Sequence, residues 1–462
     1  MYTLKLRKIK LKNFINANDG MIKISPESKI VGIYGPNGSG KTTLVKAFKY
    51  TKAIFSERKP GYDTNDVILP SSLIMIGKDK ATISLEWEIG PKGNLEYSFS
   101  IRRSDTQPDN AYISSESLTC KGLSGQSDFS MQINKRGYKK DLKELGLQLA
   151  SLAIKIDGVF FSKEYSLEML KEAYKKTRQE NRSFFAYDGL FSMIENGRDS
   201  DQTESFSNLV SDVLFSLHWY FKLMYFFSDN EEGHTRQINN HDDFASISYF
   251  LISPNELERM GIGLIEEIED YNEIINLTNL CKKRVSLINS ILKEILPSVS
   301  LVYNESDDLL LIEKHGVCIP FSAASYGEKK LIRLTMSLME SSLNERTTII
   351  IDEFDEGIFE LRLKKLLCWL LDNTVGMVIF TAHNLMPLEV LPPKAIWFTT
   401  VAQKQLYSTM RNVKSKTNMR DKYYRTLTVG DDDNPPFNYD IDADMIATAF
   451  SIAAYRNYGG AR

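Results

Sequence analysis

The chain has 462 residues, a formal net charge of −3, 42% hydrophobic residues and 25% charged residues. These values are typical of a globular protein and exclude the strongly basic composition of a protein that coats nucleic acid. The four cysteines are widely scattered with no C-x-x-C pair, which argues against a disulfide framework or a structural zinc site. No apolar run approaches the ~20 residues of a membrane span, so we expect a cytoplasmic protein that makes no membrane contact.

The N-terminal segment predicts two strands, over residues 2–14 and 21–24, with a loop at 16–20. Several lysines recur along the first strand, including Lys5, Lys8 and Lys10. Because lysines on an edge strand discourage pairing with other chains, the pattern favours a solvated edge strand. A surface that faces nucleic acid is the alternative.

A glycine-rich loop follows the apolar run at 30–34 and precedes a predicted helix over 41–57. Its sequence is G-x-x-x-x-G-K-[ST] between a strand and a helix, which predicts a loop that binds the phosphates of a nucleoside triphosphate. Loop and helix N–H groups would donate to the phosphate oxygens, while Lys41 would reach the β- and γ-phosphates and the Thr42 hydroxyl would bind Mg²⁺. The predicted nucleotide-binding residues are Gly35, Pro36, Asn37, Gly38, Ser39, Gly40, Lys41, Thr42 and Thr43.

The middle of the chain changes from strand to helix patterns. Alternating residues predict a hairpin over 82–89 and 95–101, followed by a polar region with one possible strand at 117–120. From about 139 to 296 apolar residues recur at helical spacing until Pro297. Short strands at 299–303 and 309–312 then return.

Three motifs follow in the last third of the chain. Ala324-Ser325-Tyr326-Gly327-Glu328 opens a helix, an apolar strand ends in Asp352-Glu353, and a second apolar strand ends in His383. Each gap between motifs has room for one helix and one strand of a parallel sheet.

Each motif has residue types that suit phosphate chemistry. Asp352 can hold the hydration shell of Mg²⁺, and Glu353 can orient the attacking water or accept its proton. His383 can sense the γ-phosphate. A second helix start, at Ser325 and Gly327, suits phosphate binding but is redundant for one nucleotide in one subunit, so it suggests a nucleotide held by another copy of the chain.

These motifs together resemble those of the ABC-type ATPases, in the branch that includes the SMC, RecF and OLD proteins. The segment 35–42 is similar to Walker A, 349–353 to Walker B with its catalytic glutamate, and 324–328 to the signature loop. His383 resembles the switch histidine, and Asp355 lies where the D-loop is expected. Gln107 and Gln148 are both candidates for the Q-loop.

The resemblance implies an α/β fold: an ABC-type P-loop NTPase head, with a mixed or parallel sheet, an antiparallel β subdomain and a helical insertion lid. The implied domains are an N-terminal ATPase lobe, a helical insertion, a C-terminal ATPase lobe and a C-terminal extension. Their predicted ranges are 1–138, 139–297, 298–410 and 411–462.

The resemblance also implies an ATPase that uses ATP and Mg²⁺, with Lys41, Glu353 and His383 as catalytic residues. It implies a homodimer or higher homo-oligomer in which two copies sandwich ATP between Lys41 of one and Ser325 and Gly327 of the other. The chain is further similar to AAA-family ATPases of bacterial anti-phage defence systems such as Septu, Gabija or PARIS, which implies a sensor that controls a separate nuclease effector. The alternative is a RecF- or SMC-like DNA-binding ATPase of repair or recombination. A transporter ATPase fits less well because of the large helical insertion, and a small-molecule kinase because it needs no signature loop.

Overall fold

The structure is a computed structural model that describes much of the chain, but not all of it. The described residues are 1–36, 38–55, 70–104, 111–126, 128–134, 173, 176–177, 180–186, 201–227, 271–304, 309–399, 406–409 and 419–429. The chain divides into two units, Met1–Arg411 and Asn412–Arg462.

The described strands and helices all lie in the first unit except the last helix. The strands are β1 Leu4–Phe14, β2 Ala17–Lys23, β3 Ile30–Tyr34, β4 Lys80–Ile89, β5 Gly93–Arg103, β6 Ala111–Lys121, β7 Phe129–Asn134, β8 Met224–Phe227, β9 Val299–Asn304, β10 Leu309–Lys314, β11 Val317–Pro320, β12 Thr348–Ile351, β13 Met377–Ala382, β14 Ile396–Thr399 and β15 Tyr407–Ser408. The helices are α1 Lys41–Phe55, α2 Asp201–Lys222, α3 Tyr271–Ile295, α4 Tyr326–Leu343, α5 Glu360–Asn373, α6 Pro387–Val390 and α7 Met419–Val429.

A mixed sheet carries the phosphate loop, in the order β15-β14-β3-β13-β12-β8. Its strands run parallel from β14 to β8, and β15 pairs antiparallel with β14. Every residue of β3, β12 and β13 is buried, as expected for parallel strands that are covered on both faces. β13 lies between the strand that precedes Asp352 and the strand that precedes the phosphate loop.

A larger antiparallel sheet, β2-β1-β4-β5-β6-β7, packs its apolar face on α1 and α2. Alternate residues of β4 and β5 point into this core, including Trp87 and Tyr97, which are fully buried. The predicted α/β class, with its mixed sheet and antiparallel β subdomain, is therefore confirmed.

Two predictions about the N-terminal strands are wrong. β1 is an internal strand between β2 and β4, so its lysines do not guard a sheet edge. The segment predicted as a loop at 16–20 belongs mostly to β2, because the chain reverses in a tight turn in which Phe14 pairs with Ala17.

Three other elements differ from the sequence-based expectations. β8 lies inside the region predicted to be helical and forms the edge of the mixed sheet beside β12. β6 is much longer than the predicted strand at 117–120, and it pairs with both β5 and β7. β11 was not predicted at all and completes a small sheet with β10 and β9.

Helices α3, α4 and α5 pack on one another, and α4 contacts β12. At about 1.5 Å per residue, the described part of α3 is about 37 Å long. None of the described helices is long and apolar enough to cross a membrane.

Several predicted features lie outside the described residues. These include Asn37, both Q-loop candidates, the residues at 139–172 and most of the C-terminal extension. The four predicted domain ranges therefore stay predictions.

A buried carboxylate joins the antiparallel sheet to the segment 180–186. Glu116 is 1% exposed and accepts hydrogen bonds from the Tyr97 hydroxyl at 2.8 Å, the Ser183 hydroxyl at 2.5 Å and the Phe184 N–H at 3.0 Å. The Ser183 N–H in turn donates to the Ile54 carbonyl at the end of α1. Glu116 therefore links β5, β6 and the segment 180–186, and Ser183 links this group to the end of α1.

We expect Glu116→Ala to lower the free energy of unfolding by about 2–3 kcal/mol, because buried donors lose their acceptor. Urea denaturation followed by circular dichroism measures this change. Glu96→Ala, at an exposed position on β5, is the matched control and should change stability by less than about 0.5 kcal/mol. Equal stability of the two variants would contradict the role given to Glu116.

Candidate functional site: a cleft at the phosphate loop

The carboxyl ends of β3, β13 and β12 meet at one cleft of about 640 Å³. In a parallel sheet these ends lie at the same edge, which is where such folds bind ligands. The residues that line the cleft are Asn16, Gly38, Gly40, Lys41, Thr42, Thr43, Glu353, Asp355, Glu356 and His383.

The phosphate loop is held from β14 and β15, two strands that no motif in the sequence singles out. The Thr399 hydroxyl bonds to the Ser39 hydroxyl and donates to the Tyr34 carbonyl at 3.2 Å. The Tyr407 hydroxyl donates to the Gly40 carbonyl at 3.1 Å. A Cβ at Gly35 would lie 1.8 Å from Thr399 Oγ1, so this approach requires glycine.

Asn16 supports the other side of the loop from the turn between β1 and β2. Its Oδ1 accepts a hydrogen bond from the Thr43 hydroxyl at 2.6 Å, and its Nδ2 donates to the Gly38 carbonyl at 3.4 Å. Asn16 also lines the cleft. Asn16 could not be identified from the sequence, because a single asparagine in a turn carries no recognisable motif.

Lys41 lies against its own loop. Its Nζ donates to the Gly35 carbonyl at 2.6 Å and to the Pro36 carbonyl at 2.9 Å, and the residue is 6% exposed. Burial lowers the pKa of Lys41 to about 8, although the surrounding carboxylates oppose this shift. At neutral pH the side chain is still largely an ammonium, held by neutral carbonyls that a phosphate could replace.

His383 lies between Lys41 and Glu353. Lys41 Nζ is 3.4 Å from His383 Nδ1, and His383 Nε2 is 3.9 Å from Glu353 Oε1. Partial burial, followed by the charge of Lys41, lowers the pKa of His383, so its ring is neutral at pH 7. Because the ammonium can only donate, Nδ1 is the acceptor and the proton of this neutral ring is assigned to Nε2, on the side of Glu353.

Thr381 of β13 organises the two acids that follow β12. Its hydroxyl donates to Asp352 Oδ1 and accepts from the Glu353 N–H at 2.8 Å. One hydroxyl therefore fixes both the Asp352 carboxylate and the backbone that presents Glu353.

Glu353 has a left-handed backbone, with φ of 52°. This conformation costs a residue with a side chain about 1–3 kcal/mol, and it persists where the surroundings hold it. The Glu353 carbonyl accepts from Lys330 Nζ at 2.7 Å and from the Glu356 N–H at 3.0 Å. Its carboxylate is thus aimed into the cleft by a backbone that is bonded on both sides.

Asp355 connects the loop after β12 to the turn after β13. Its Oδ2 accepts from the His383 N–H at 3.0 Å and from the Asn384 N–H. Its Oδ1 is buried and has no hydrogen-bond partner among the described residues. Asp355 therefore holds the backbone that carries the His383 ring.

The segment 325–328 starts α4 and does not line the cleft. Ser325 is the N-cap in a capping box, since its hydroxyl accepts from the Glu328 N–H and the Glu328 carboxylate accepts from the Ser325 N–H. A Cβ at Gly327 would lie 2.4 Å from the Gly357 carbonyl oxygen, so the helix start packs directly on the loop after β12.

The structure thus brings together one group of the predicted site residues and separates another. Gly38, Gly40, Lys41, Thr42, Thr43, Glu353 and His383 all line the cleft. Gly35, Pro36 and Ser39 shape the loop beneath it, and Asp352 lies behind Glu353, bonded to Thr381. Ser325 and Gly327 are outside the cleft, and Asn37 lies outside the described residues.

The donor set of the cleft fits Mg²⁺, which prefers oxygen ligands and retains several waters. The Thr42 side chain is exposed in the cleft, and the carboxylates of Glu353 and Asp355 line the same space. The unpartnered Oδ1 of Asp355 adds an oxygen that lacks a donor among the described residues.

The fold and the phosphate loop define a P-loop NTPase of the mixed α/β type. The model of the family described as an AAA domain matches residues 8–295, and the chain belongs to this family.

One curated relative is the chromosome partition protein Smc of Mesomycoplasma hyorhinis, which is 24% identical over 283 residues. The match covers 60% of this chain and 25% of the relative, so the chain spans about a quarter of the length of that protein.

Two solved structures are similar over most of the chain. The Smc head bound to the C-winged helix domain of ScpA has a TM-score of 0.43 at 12% identity, covering 88% of this chain and 97% of that one. An Smc head with an extended coiled coil, bound to the C-terminal domain of ScpA from Pyrococcus furiosus, has a TM-score of 0.42 at 14% identity and covers 92% and 98%. These scores are below 0.5, so the fold assignment rests on the strand order, the phosphate loop and the family match.

The pKa of Lys41 predicts a pH dependence of nucleotide binding. Above pH 8 the ammonium is progressively lost, and with it the charge that attracts phosphate, so affinity should fall by up to about tenfold per pH unit. Titration of a fluorescent ATP analogue between pH 7 and 9.5 measures this.

Lys46→Ala, at an exposed position of the same helix, is the control and should show the same profile as the wild type. A constant affinity up to pH 9.5 would show that the Lys41 ammonium does not contribute to binding.

Proposed function

We propose that the chain binds ATP in the cleft at the phosphate loop and hydrolyses it. The observation that carries this proposal is the chain of contacts from Lys41 through His383 to Glu353, at the edge of the sheet where the phosphate loop begins α1. The Lys41 ammonium suits a phosphate, and the Glu353 carboxylate suits an attacking water. The two groups on either side of the neutral His383 ring therefore suit the two reactants of ATP hydrolysis.

Each residue of this group has a separate task. Lys41 would exchange the carbonyls of Gly35 and Pro36 for the β- and γ-phosphates, which is favourable because a charge-assisted bond to phosphate is stronger than one to a neutral carbonyl. Glu353 would orient the attacking water and accept its proton. His383, neutral and protonated at Nε2, would donate to the γ-phosphate or to Glu353, and so would register whether that phosphate is present.

Thr42 and Asp352 would hold Mg²⁺, Thr42 through its hydroxyl and Asp352 through bound water. When bound, the ion would neutralise charge on the β- and γ-phosphates. Thr381 keeps the Asp352 carboxylate in a fixed orientation for this task.

We further propose that ATP joins two copies of the chain. Ser325 and Gly327 lie outside the cleft of their own chain, and the adjacent Tyr326 is 44% exposed. A helix start that would bind phosphate but does not line the cleft of its own chain suits a nucleotide held by another copy. Because only the closed state would make these contacts, ATP would shift the equilibrium towards the dimer.

We expect Lys41→Ala to lose ATP binding and Glu353→Gln to keep binding while turnover falls at least 100-fold. Light scattering with ATP should show a larger species for Glu353→Gln and a single chain for Lys41→Ala. Phosphate release and calorimetry measure turnover and binding.

The control is Glu294→Gln, at an exposed position near the end of α3, which should behave like the wild type. Wild-type turnover in Glu353→Gln would refute the role of Glu353. A Glu353→Gln variant that binds ATP and remains a single chain would refute the ATP-dependent dimer.

A groove on the antiparallel sheet favours contact with nucleic acid as a second function. It has a volume of about 460 Å³ and is lined by Lys8, Lys10, Lys12 and Lys23, with Glu86, Glu96 and two hydroxyl residues of β4 beside them. Lys8 pairs with Glu86, whereas Lys10, Lys12 and Lys23 are exposed. Of the lysines considered from the sequence, Lys5 is not among the groove residues.

The groove residues Thr82 and Ser84 pair their hydroxyls with those of the next strand. The Thr82 and Ser100 hydroxyls are 3.0 Å apart, and those of Ser84 and Ser98 are 2.7 Å apart. Lysines beside a row of hydroxyls are typical of surfaces that contact the phosphates and sugars of nucleic acid without reading bases.

We expect the double change Lys10→Glu and Lys12→Glu to weaken binding to duplex DNA at least tenfold and to reduce its salt dependence by about two units of slope. Fluorescence anisotropy at several salt concentrations measures both. The double change Lys92→Glu and Lys121→Glu, at exposed positions outside the groove, is the control for total charge. If both variants bind like the wild type, the groove is not a nucleic-acid surface.

The similarity to a chromosome partition protein agrees with the SMC- or RecF-like alternative and with this groove. The role as a sensor of an anti-phage defence system, with a separate nuclease effector, stays a prediction that the sequence resemblance alone supports.

A further inference from the structure

One lysine of α4 is buried and bonded to the backbone of the proposed catalytic glutamate. Lys330 is 2% exposed, and its Nζ donates to the Glu353 carbonyl at 2.7 Å. A buried ammonium is unfavourable unless it is paired. Burial of the Lys330 ammonium therefore depends on the Glu353 carbonyl and on the other groups around it. The Lys330 ammonium also lies 5.7 Å from the centre of the Tyr326 ring, at the first residue of the same helix.

The Lys330 bond completes the support of an unusual backbone. Glu353 has a φ of 52°, and its N–H is held by the Thr381 hydroxyl from β13. Lys330 holds the carbonyl of the same residue from α4. The direction of the Glu353 side chain therefore depends on a sheet strand on one side and on a helix on the other.

The start of α4 touches the same loop at a second point. Gly327 packs on the Gly357 carbonyl, and a Cβ at Gly357 would lie 2.6 Å from the Tyr326 ring. Gly357 has a φ of 68°, which glycine adopts without strain. Because both contacts are close-packed, the first turn of α4 cannot shift without moving the loop that carries Glu353.

We propose that Lys330 is a positioning residue that couples the first turn of α4 to the orientation of Glu353. This inference rests on the proposed hydrolysis and deepens it by naming how that activity is regulated. A ligand or a second copy of the chain that engages the segment 325–327 would move α4, and Lys330 would transmit this movement to Glu353. Hydrolysis would then respond to events at a surface that does not line the cleft.

The test is Lys330→Met, which keeps most of the length of the side chain and removes the donor. We expect kcat for ATP hydrolysis to fall 10- to 100-fold while the Kd for ATP stays within about threefold, since small displacements of a catalytic group cost this much. Amide exchange of residues 352–357 should become faster than in the wild type, whereas exchange of β13 should not change. A loss of general stability alone would not produce this split between kcat, Kd and local exchange.

Lys364→Met, at an exposed position of α5, is the matched control and should leave all three measurements unchanged. If Lys330→Met does not fold, Lys330→Gln serves instead, because its amide is polar but one bond too short to reach the carbonyl. Wild-type kcat and local exchange in the folded variant would overturn the coupling while leaving the proposed ATPase intact. Absence of hydrolysis in the wild type and in Lys364→Met would instead overturn the proposed function, and the coupling with it.

Discussion

A parallel sheet brings the carboxyl ends of its strands to one edge, and the phosphate loop, Glu353 and His383 all depend on this constraint. The phosphate loop follows β3, Glu353 follows β12 and His383 follows β13, with β13 in the middle. The central position of β13 is what allows its residues to serve both neighbours. Thr381 bonds to the acids after β12, while His383 contacts the lysine of the loop after β3.

The polar contacts around this edge stabilise groups whose burial or backbone conformation would otherwise be unfavourable. Lys41 is a buried ammonium, Glu353 has a left-handed backbone, and Asp355 has a buried oxygen without a partner among the described residues. Lys41 donates to its own loop, the Glu353 N–H donates to Thr381 of β13, and Asp355 accepts from the backbone just after β13. A site arranged in this way is pre-organised, so nucleotide binding need not order the backbone that surrounds it.

The sequence predicted the phosphate loop and the three C-terminal motifs because their backbone geometry demands particular residues at fixed spacing. Gly35 is an example, since only glycine tolerates the approach of Thr399. Asn16, Thr381, Lys330 and Tyr407 could not be predicted, because each is a single polar residue whose partner is distant in the sequence. The errors at β1 and β8 have a similar origin: whether a strand is internal or at an edge depends on its neighbours, which local patterns do not identify.

The mixed sheet also sets an order of events for a chain during synthesis. β3 leaves the ribosome long before its neighbours β13 and β14, which begin at residues 377 and 396, and the hydroxyl that contacts Ser39 belongs to Thr399. At about 5–20 residues per second, the phosphate loop waits tens of seconds for the strands that flank it. Until then the wholly apolar β3 has neither partner, and closing so long a loop is slow. A nascent chain therefore cannot form the complete cleft until almost all of the mixed sheet has been made.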